Sequence, residues 1–260
     1  MQHLKEALLL FLFASALIFL VLYMKIGENE RKVKIISLSK SYRDFPWSVC
    51  YSGTKSYLLE VVPIAEDYVN VVLVRYWIWA PQNYKCPETL TLEVSTSKEK
   101  ISELLYLEHV GMYCYTPLVI VIISGEGVIR IADEAVSIPS CWADKHPWLN
   151  GGKLPSAILL SGRLDDLKWE NKGTKSFIIE TSKIYESTDL KVLALRISAF
   201  TPSGSHVKSF KVKILEEASV IEEFEIPAYS RNLYSETNAI LIALPPSANV
   251  IMIENNKIEV

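Results

Sequence analysis

Glutamine is almost missing from this chain, which carries Gln2 and Gln82 and no other. Scarce glutamine, a thermolabile amide, beside plentiful Ile, Val, Leu, Glu and Lys makes a hyperthermophile-like composition. A basic excess is missing too. The 27 Lys and Arg are outweighed by 30 Asp and Glu, for a net charge of −3, which excludes a strongly basic nucleic-acid binder. The motifs of common chemistry are absent: no phosphate loop, no G-x-S-x-G, no H-E-x-x-H and no EF-hand loop. Gly151-Gly152-Lys153 lacks the rest of a phosphate loop, and His109, His146 and His206 show no local pairing with a nucleophile. Asp165-Asp166 are adjacent acids at a strand end, which point to opposite faces and read as a solvated turn. These absences lead us to expect a protein that is not an enzyme and holds no cofactor. An external hydrolase, its site assembled from residues distant in sequence, is the remaining enzymatic alternative.

Cysteine is sparse and unevenly placed. The 4 cysteines, Cys50, Cys86, Cys114 and Cys141, all precede residue 142, and none is found beyond. No two lie within the C-x₂-C step of a zinc cluster, so no metal site is expected, His146 near Cys141 and Asp144 notwithstanding. An even count in a tethered β-protein favours disulfides and an oxidising exterior. Of the three pairings, Cys86–Cys114 with Cys50–Cys141 is preferred. The first would tie the segment after a strand to a neighbouring loop, and the second would join the start of a unit to its end.

The chain does possess one long apolar run. Ala7 to Met24 is interrupted only by Ser15 and Tyr23. As a helix these 18 residues span roughly 27 Å, close to the hydrocarbon thickness of a bilayer. Val21-Leu22-Tyr23-Met24-Lys25 offers no small-residue cleavage site, so an uncleaved anchor is favoured over a signal peptide. Leu4-Lys5-Glu6 does not resemble the processing site of a pilin leader. Lys5 precedes the run, whereas Lys25, Arg31, Lys32 and Lys34 follow it, a basic bias that would keep the bulk of the chain in the cytoplasm. Long domains translocate largely regardless of charge, and the cysteines argue for the outside. The expectation is a membrane protein with a single N-terminal span and an extracellular region 33–260, the cytoplasmic orientation remaining the alternative.

From Val33 onward the chain reads as short runs rich in Val, Ile, Tyr and Phe between turn residues, a β signature. It also repeats itself. Gly53-Thr54-Lys55-Ser56-Tyr57-Leu58-Leu59-Glu60 recurs as Gly173-Thr174-Lys175-Ser176-Phe177-Ile178-Ile179-Glu180. Val71-Val72-Leu73-Val74-Arg75 is answered by Val192-Leu193-Ala194-Leu195-Arg196, and Pro81 by Pro202, at a nearly constant offset. The match runs on to Val136-Ser137-Ile138 and Ile258-Glu259-Val260. By the same comparison Ile101 to Leu107 is a strand, because its counterpart alternates and stops at Pro227. The organisation expected is an anchor and juxtamembrane segment over 1–32, a first repeat over 33–139, a linker over 140–155 and a second repeat over 156–260. The fold class expected is all-β: two tandem antiparallel β-sandwiches of jelly-roll or immunoglobulin-like topology, each of about eight strands.

Alternation assigns the faces of the strand from Val69 to Trp79. Val72, Val74, Tyr76 and Ile78 form its core side. Val71, Leu73, Arg75, Trp77 and Trp79 lie on the other side, outward or at an interface. In the second repeat Ser198 and Phe200 stand where the tryptophans are. Arg75, Trp77 and Trp79, joined by Trp47 and Tyr51, are therefore the candidate binding face. Glu60 with Arg75, and Glu180 with Arg196, flank equivalent turns and are candidate cross-strand pairs. The function expected is protein interaction or self-assembly in an envelope or appendage. A carbohydrate-binding module that stacks sugars on the tryptophans is the alternative, and nucleic acid is not an expected partner.

Overall fold

The amino acids that favour a pleated backbone dominate the chain after residue 32, and most of the described residues lie in strands. The computed structural model describes residues 33–37, 50–65, 69–138, 156–159, 165, 167–202 and 205–260. The expected anchor over 1–32 and linker over 140–155 lie outside the described residues. Among the described residues no helix is long and apolar enough to cross a membrane.

The first half holds β1 (Val33–Ser37), β2 (Cys50–Gly53), β3 (Tyr57–Ala65), β4 (Val69–Trp79), β5 (Thr89–Thr96), β6 (Lys100–Tyr106), β7 (Glu108–Val110), β8 (Tyr113–Tyr115), β9 (Val119–Ser124), β10 (Gly127–Ile131) and β11 (Glu134–Ile138). The second half holds β12 (Ser156–Leu159), β13 (Glu170–Asn171), β14 (Phe177–Glu186), β15 (Lys191–Phe200), β16 (Ser209–Glu216), β17 (Ser219–Arg231), β18 (Tyr234–Thr237), β19 (Ile240–Leu244), β20 (Ala248–Ile253) and β21 (Asn256–Glu259). Each half thus has more strands than the eight its alternation predicts. The surplus consists of pieces such as β7 and β8, three residues each and too short for a period to register.

Among the described residues all ladders are antiparallel. In the first half β1-β9-β4-β3-β2 form a sheet, which β8 and β7 extend at the top of β4, and β11-β10-β5-β6 form a second sheet. The pairings recur in the second half: β14 with β15, β15 with both β18 and β19, β16 with β17, and β20 with β21. A register shift falls between Pro63 and Ala65 in β3 and between Lys183 and Tyr185 in β14, so the same bulge recurs at Ile64 and Ile184. A bulge also accommodates Pro63, which has no N–H to give a ladder. One difference is plain. The strand β17 bends from one sheet into the next and fuses them into a ten-stranded sheet. Its first-half counterpart breaks at Leu107 into β6 and β7.

Three apolar layers result. One fills the first half and includes Val72, Val74, Tyr76, Leu92, Val94, Ile129 and Ile131. Another fills the second half around Leu193, Leu195, Ile197, Phe210, Val212, Ile251 and Ile253. The third joins the halves: Val62, Ile64, Val71, Leu73, Ile120 and Ile122 pack on Val192, Ala194, Ala239, Leu241 and Ala243. Branched side chains of one sheet meet alanines of the other, which lets the two surfaces interdigitate at interior density. The non-core side of β4 is accordingly an interface along its first half. Val33–Val260 is one compact unit, layered as outer sheet, two inner sheets and outer sheet.

Candidate binding face

The marker sequence shared by the two halves is a tight turn followed by a core strand. At its first residue a β-carbon on Gly53 would lie 2.4 Å from the Tyr57 carbonyl oxygen, and one on Gly173 would lie 2.1 Å from that of Phe177. Gly53 also has a φ of 135°, in the region L side chains rarely enter. Thr54 N–H donates to Tyr57 O at 2.7 Å, and Thr174 N–H to Phe177 O at 2.9 Å. The threonine hydroxyls finish the turns, accepting from Ser56 N–H and Phe177 N–H respectively, both at 3.1 Å. From there the strand runs up to the row that carries the charges.

Glu60 faces Arg75 directly across β3 and β4, and Glu180 faces Arg196 across β14 and β15. Arg75 Nε donates to Glu60 Oε2 at 2.6 Å, and Arg196 Nε to Glu180 Oε2 at 2.7 Å. The first pair is buried, with Glu60 7% and Arg75 6% exposed. Burial raises the Glu60 carboxyl above the ordinary 4.5, against the opposing pull of Arg75 and a hydrogen bond from Trp77. Arg75 also lies over the Tyr115 ring at 5.9 Å. In the second half Arg196 is clasped further, with Asp165 Oδ1 3.0 Å from Nη1 and the Trp169 ring 4.2 Å beneath the guanidinium. Trp47, the first-half counterpart of Trp169, lies outside the described residues.

Above Arg75 the inner sheet leaves its contact with the second half, and the aromatic residues begin. Trp77 stands between Leu58 and Tyr115 in register, and Trp79 stands opposite Tyr113. Trp77 is half-buried, its ring edge-on to Tyr113 with centroids 5.5 Å apart. Trp79 is 43% exposed. Tyr51, opposite Glu60, adds an exposed ring at the edge strand. The structure thus brings Arg75, Trp77, Trp79 and Tyr51 onto one face. Tyr113, Tyr115 and Glu108 belong to it as well, and sequence reasoning missed them because β7 and β8 are too short to show a pattern. From behind, the disulfide Cys86–Cys114, with α-carbons 6.0 Å apart, ties the segment after β4 to β8 itself rather than to a loop. Cys50 begins β2, while Cys141 lies outside the described residues.

Two other polar groupings lie in the second half. His206 bridges a near and a distant residue: Nδ1 lies 3.1 Å from Thr201 Oγ1, and Nε2 2.9 Å from Ser230 Oγ. Both partners of this imidazole are hydroxyls. A cleft of about 280 Å³ in the second half is lined by Glu170, Lys172, Lys183, Glu186 and Lys191 among others. Its lysines are engaged: Lys172 with Glu170 at 2.7 Å, Lys183 with Glu186, and Lys191 with the carbonyls of Ala248 and Val260 at 3.1 and 3.0 Å. Among the described residues no three His, Cys, Asp or Glu side chains gather to hold a metal ion. Compared with the known protein families, the curated proteins and the solved structures, the chain matches none.

Proposed function

We propose that this chain is a membrane-anchored, non-enzymatic cell-surface protein. Two tandem β-sandwich repeats, of jelly-roll or immunoglobulin-like topology, follow a single N-terminal span, and the protein works by binding others in interaction or in envelope or appendage assembly. One observation carries the reading. A large aromatic side chain, Trp79, is held open to solvent on a frame made rigid by the buried Glu60–Arg75 pair and by the Cys86–Cys114 disulfide. Exposed tryptophans in preorganised surroundings are the usual anchors of protein interfaces. The test is extraction of the full chain in mild detergent after chemical cross-linking in cells. Native chain should be recovered with a defined adduct that Trp79→Ala loses while its thermal transition stays in place. An unchanged adduct in Trp79→Ala overturns this use of the face.

The same face supports a second reading, a carbohydrate-binding accessory module. The rings of Trp79 and Tyr113 sit one row above Glu108, which lies in register with Tyr115 and so supplies a carboxylate beside the stacking surface. Sugars bind through ring stacking combined with hydrogen bonds to such groups. Quenching or a shift of tryptophan fluorescence on titration with oligosaccharides, lost in Trp79→Ala, distinguishes this reading from the first.

A further inference from the structure

The two halves share their strand pairings but end their cores differently. In the first half Val61 pairs with Val74 and Pro63 with Val72. In the second, Thr181 pairs with Leu195 and Lys183 with Leu193 at the same steps before the bulge. Val61, Pro63 and Val72 are all buried, and Ile138 at the end of β11 belongs to the same core. The second half has instead the cleft of about 280 Å³, lined by Thr181, Lys183, Lys191 and Leu193 of β14 and β15 and by Glu259 and Val260 at the end of β21. One copy of the repeat is thus packed shut with apolar side chains where the other is open and polar, a divergence that the shared fold does not require.

Two groups in the cleft have bonds still to make. Thr181 is only 7% exposed, and its hydroxyl has no hydrogen-bond partner among the described residues. A hydroxyl buried in this way costs free energy unless a guest in the cleft bonds to it. The Lys191 ammonium donates to Ala248 O and Val260 O and has a third N–H to give. Charge decides what kind of guest fits. The lining holds three lysines, Lys172, Lys183 and Lys191, and three glutamates, Glu170, Glu186 and Glu259. Lys172 is bonded to Glu170 and Lys183 to Glu186, so an anion would have to displace a carboxylate and a cation would have to displace a lysine.

An ammonium only donates and a carboxylate only accepts, so a guest that satisfies both side by side must donate and accept at neighbouring atoms. Vicinal hydroxyls do this without carrying charge. Leu193, 6% exposed, adds an apolar patch for the C–H face of a ring. The volume lies just under the roughly 300–1,000 Å³ of pockets that take drug-sized ligands, which suits a guest of one ring. We infer that this cleft binds a neutral polyhydroxyl ligand the size of a single sugar ring, held by the Thr181 hydroxyl, the third N–H of Lys191 and the two Lys–Glu pairs. The site goes beyond both readings of the tryptophan face. It lies in the other repeat and uses none of the same residues, so either can fail alone.

The test is saturation-transfer NMR on the full chain, held in micelles of a detergent without a sugar headgroup, with glucose, galactose and mannose as probes. At least one of these should show saturable transfer to its ring protons. Thr181→Val keeps the shape of the side chain and copies the first repeat. It should weaken that binding about tenfold and leave the thermal transition at or above its native position. Lys191→Met, which keeps the stem and loses the donors, should weaken the binding likewise. A native chain that takes up none of the three sugars overturns the proposal. So does binding that Thr181→Val leaves unchanged, or binding that a folded Trp79→Ala chain has lost. Displacement of the sugar by an equal concentration of inorganic phosphate or glycine also overturns it, since the cleft would then be a site for ions.

Discussion

Glu60 and Arg75 are a pair whose value lies in each other's presence. Both are almost wholly buried, so removing the guanidinium alone leaves a carboxylate in an apolar interior. Arg75→Ala should cost about 3–5 kcal/mol in chemical denaturation, and replacing both residues together, Glu60→Leu with Arg75→Met, should cost much less. The more exposed Arg196–Glu180 pair should tolerate Arg196→Ala better, because water screens the carboxylate left behind. Tyr76 makes a pH-dependent contribution. Its phenol is buried, and burial, reinforced by the negative charge of Glu134, pushes its pKa up to about 12 from 10.0. The folded chain therefore keeps a proton that the unfolded chain gives up near pH 10, so stability declines as pH rises from 10 to 12. Tyr76→Phe should remove that part of the decline, measured as denaturation midpoints across this range.

Turns and bulges hold the strands in register, and here the repeat made much of the fold legible. The marker could be read as turn plus core strand because it occurs twice, and the structure puts a backbone reason under its glycine. Gly173→Ala forces a methyl group onto the carbonyl of Phe177 and the amide of Ile179, backbone atoms that cannot move aside. It should lower the urea midpoint by the equivalent of about 1–3 kcal/mol, and Gly53→Ala should do the same. Alternation along β4 also separated Val72, Val74 and Tyr76 from Val71 and Leu73. It did not say what covers Val71, because a strand records that its second face is apolar and not which surface meets it. The hairpin β7–β8 was illegible for its brevity, and the contact of His206 with Ser230 for its separation of 24 residues along the chain. The turn of the last hairpin falls on Glu254–Asn255, since Ile253 pairs with Asn256. Glu254 is the residue that takes the positive φ there.

As a whole the molecule is two cores and a seam. Each half has its own apolar layer, and the third layer makes them one unit. Ala194→Glu puts a carboxylate into the seam while leaving both cores complete. Calorimetry of the full chain should then resolve two transitions where the native chain should give one, because the seam is the contact that couples the two sandwiches. The seam also has a consequence in time. A chain is made from its amino end, and the first half is finished while the alanine-lined surface that will cover it is still to be translated. At ordinary rates of synthesis that interval is on the order of ten seconds. Throughout it the nascent first half presents Val62, Ile64, Val71, Leu73, Ile120 and Ile122 to water as a wide greasy sheet. Such a surface is a client for holding chaperones, and its need for them ends when its own sister repeat emerges to take their place.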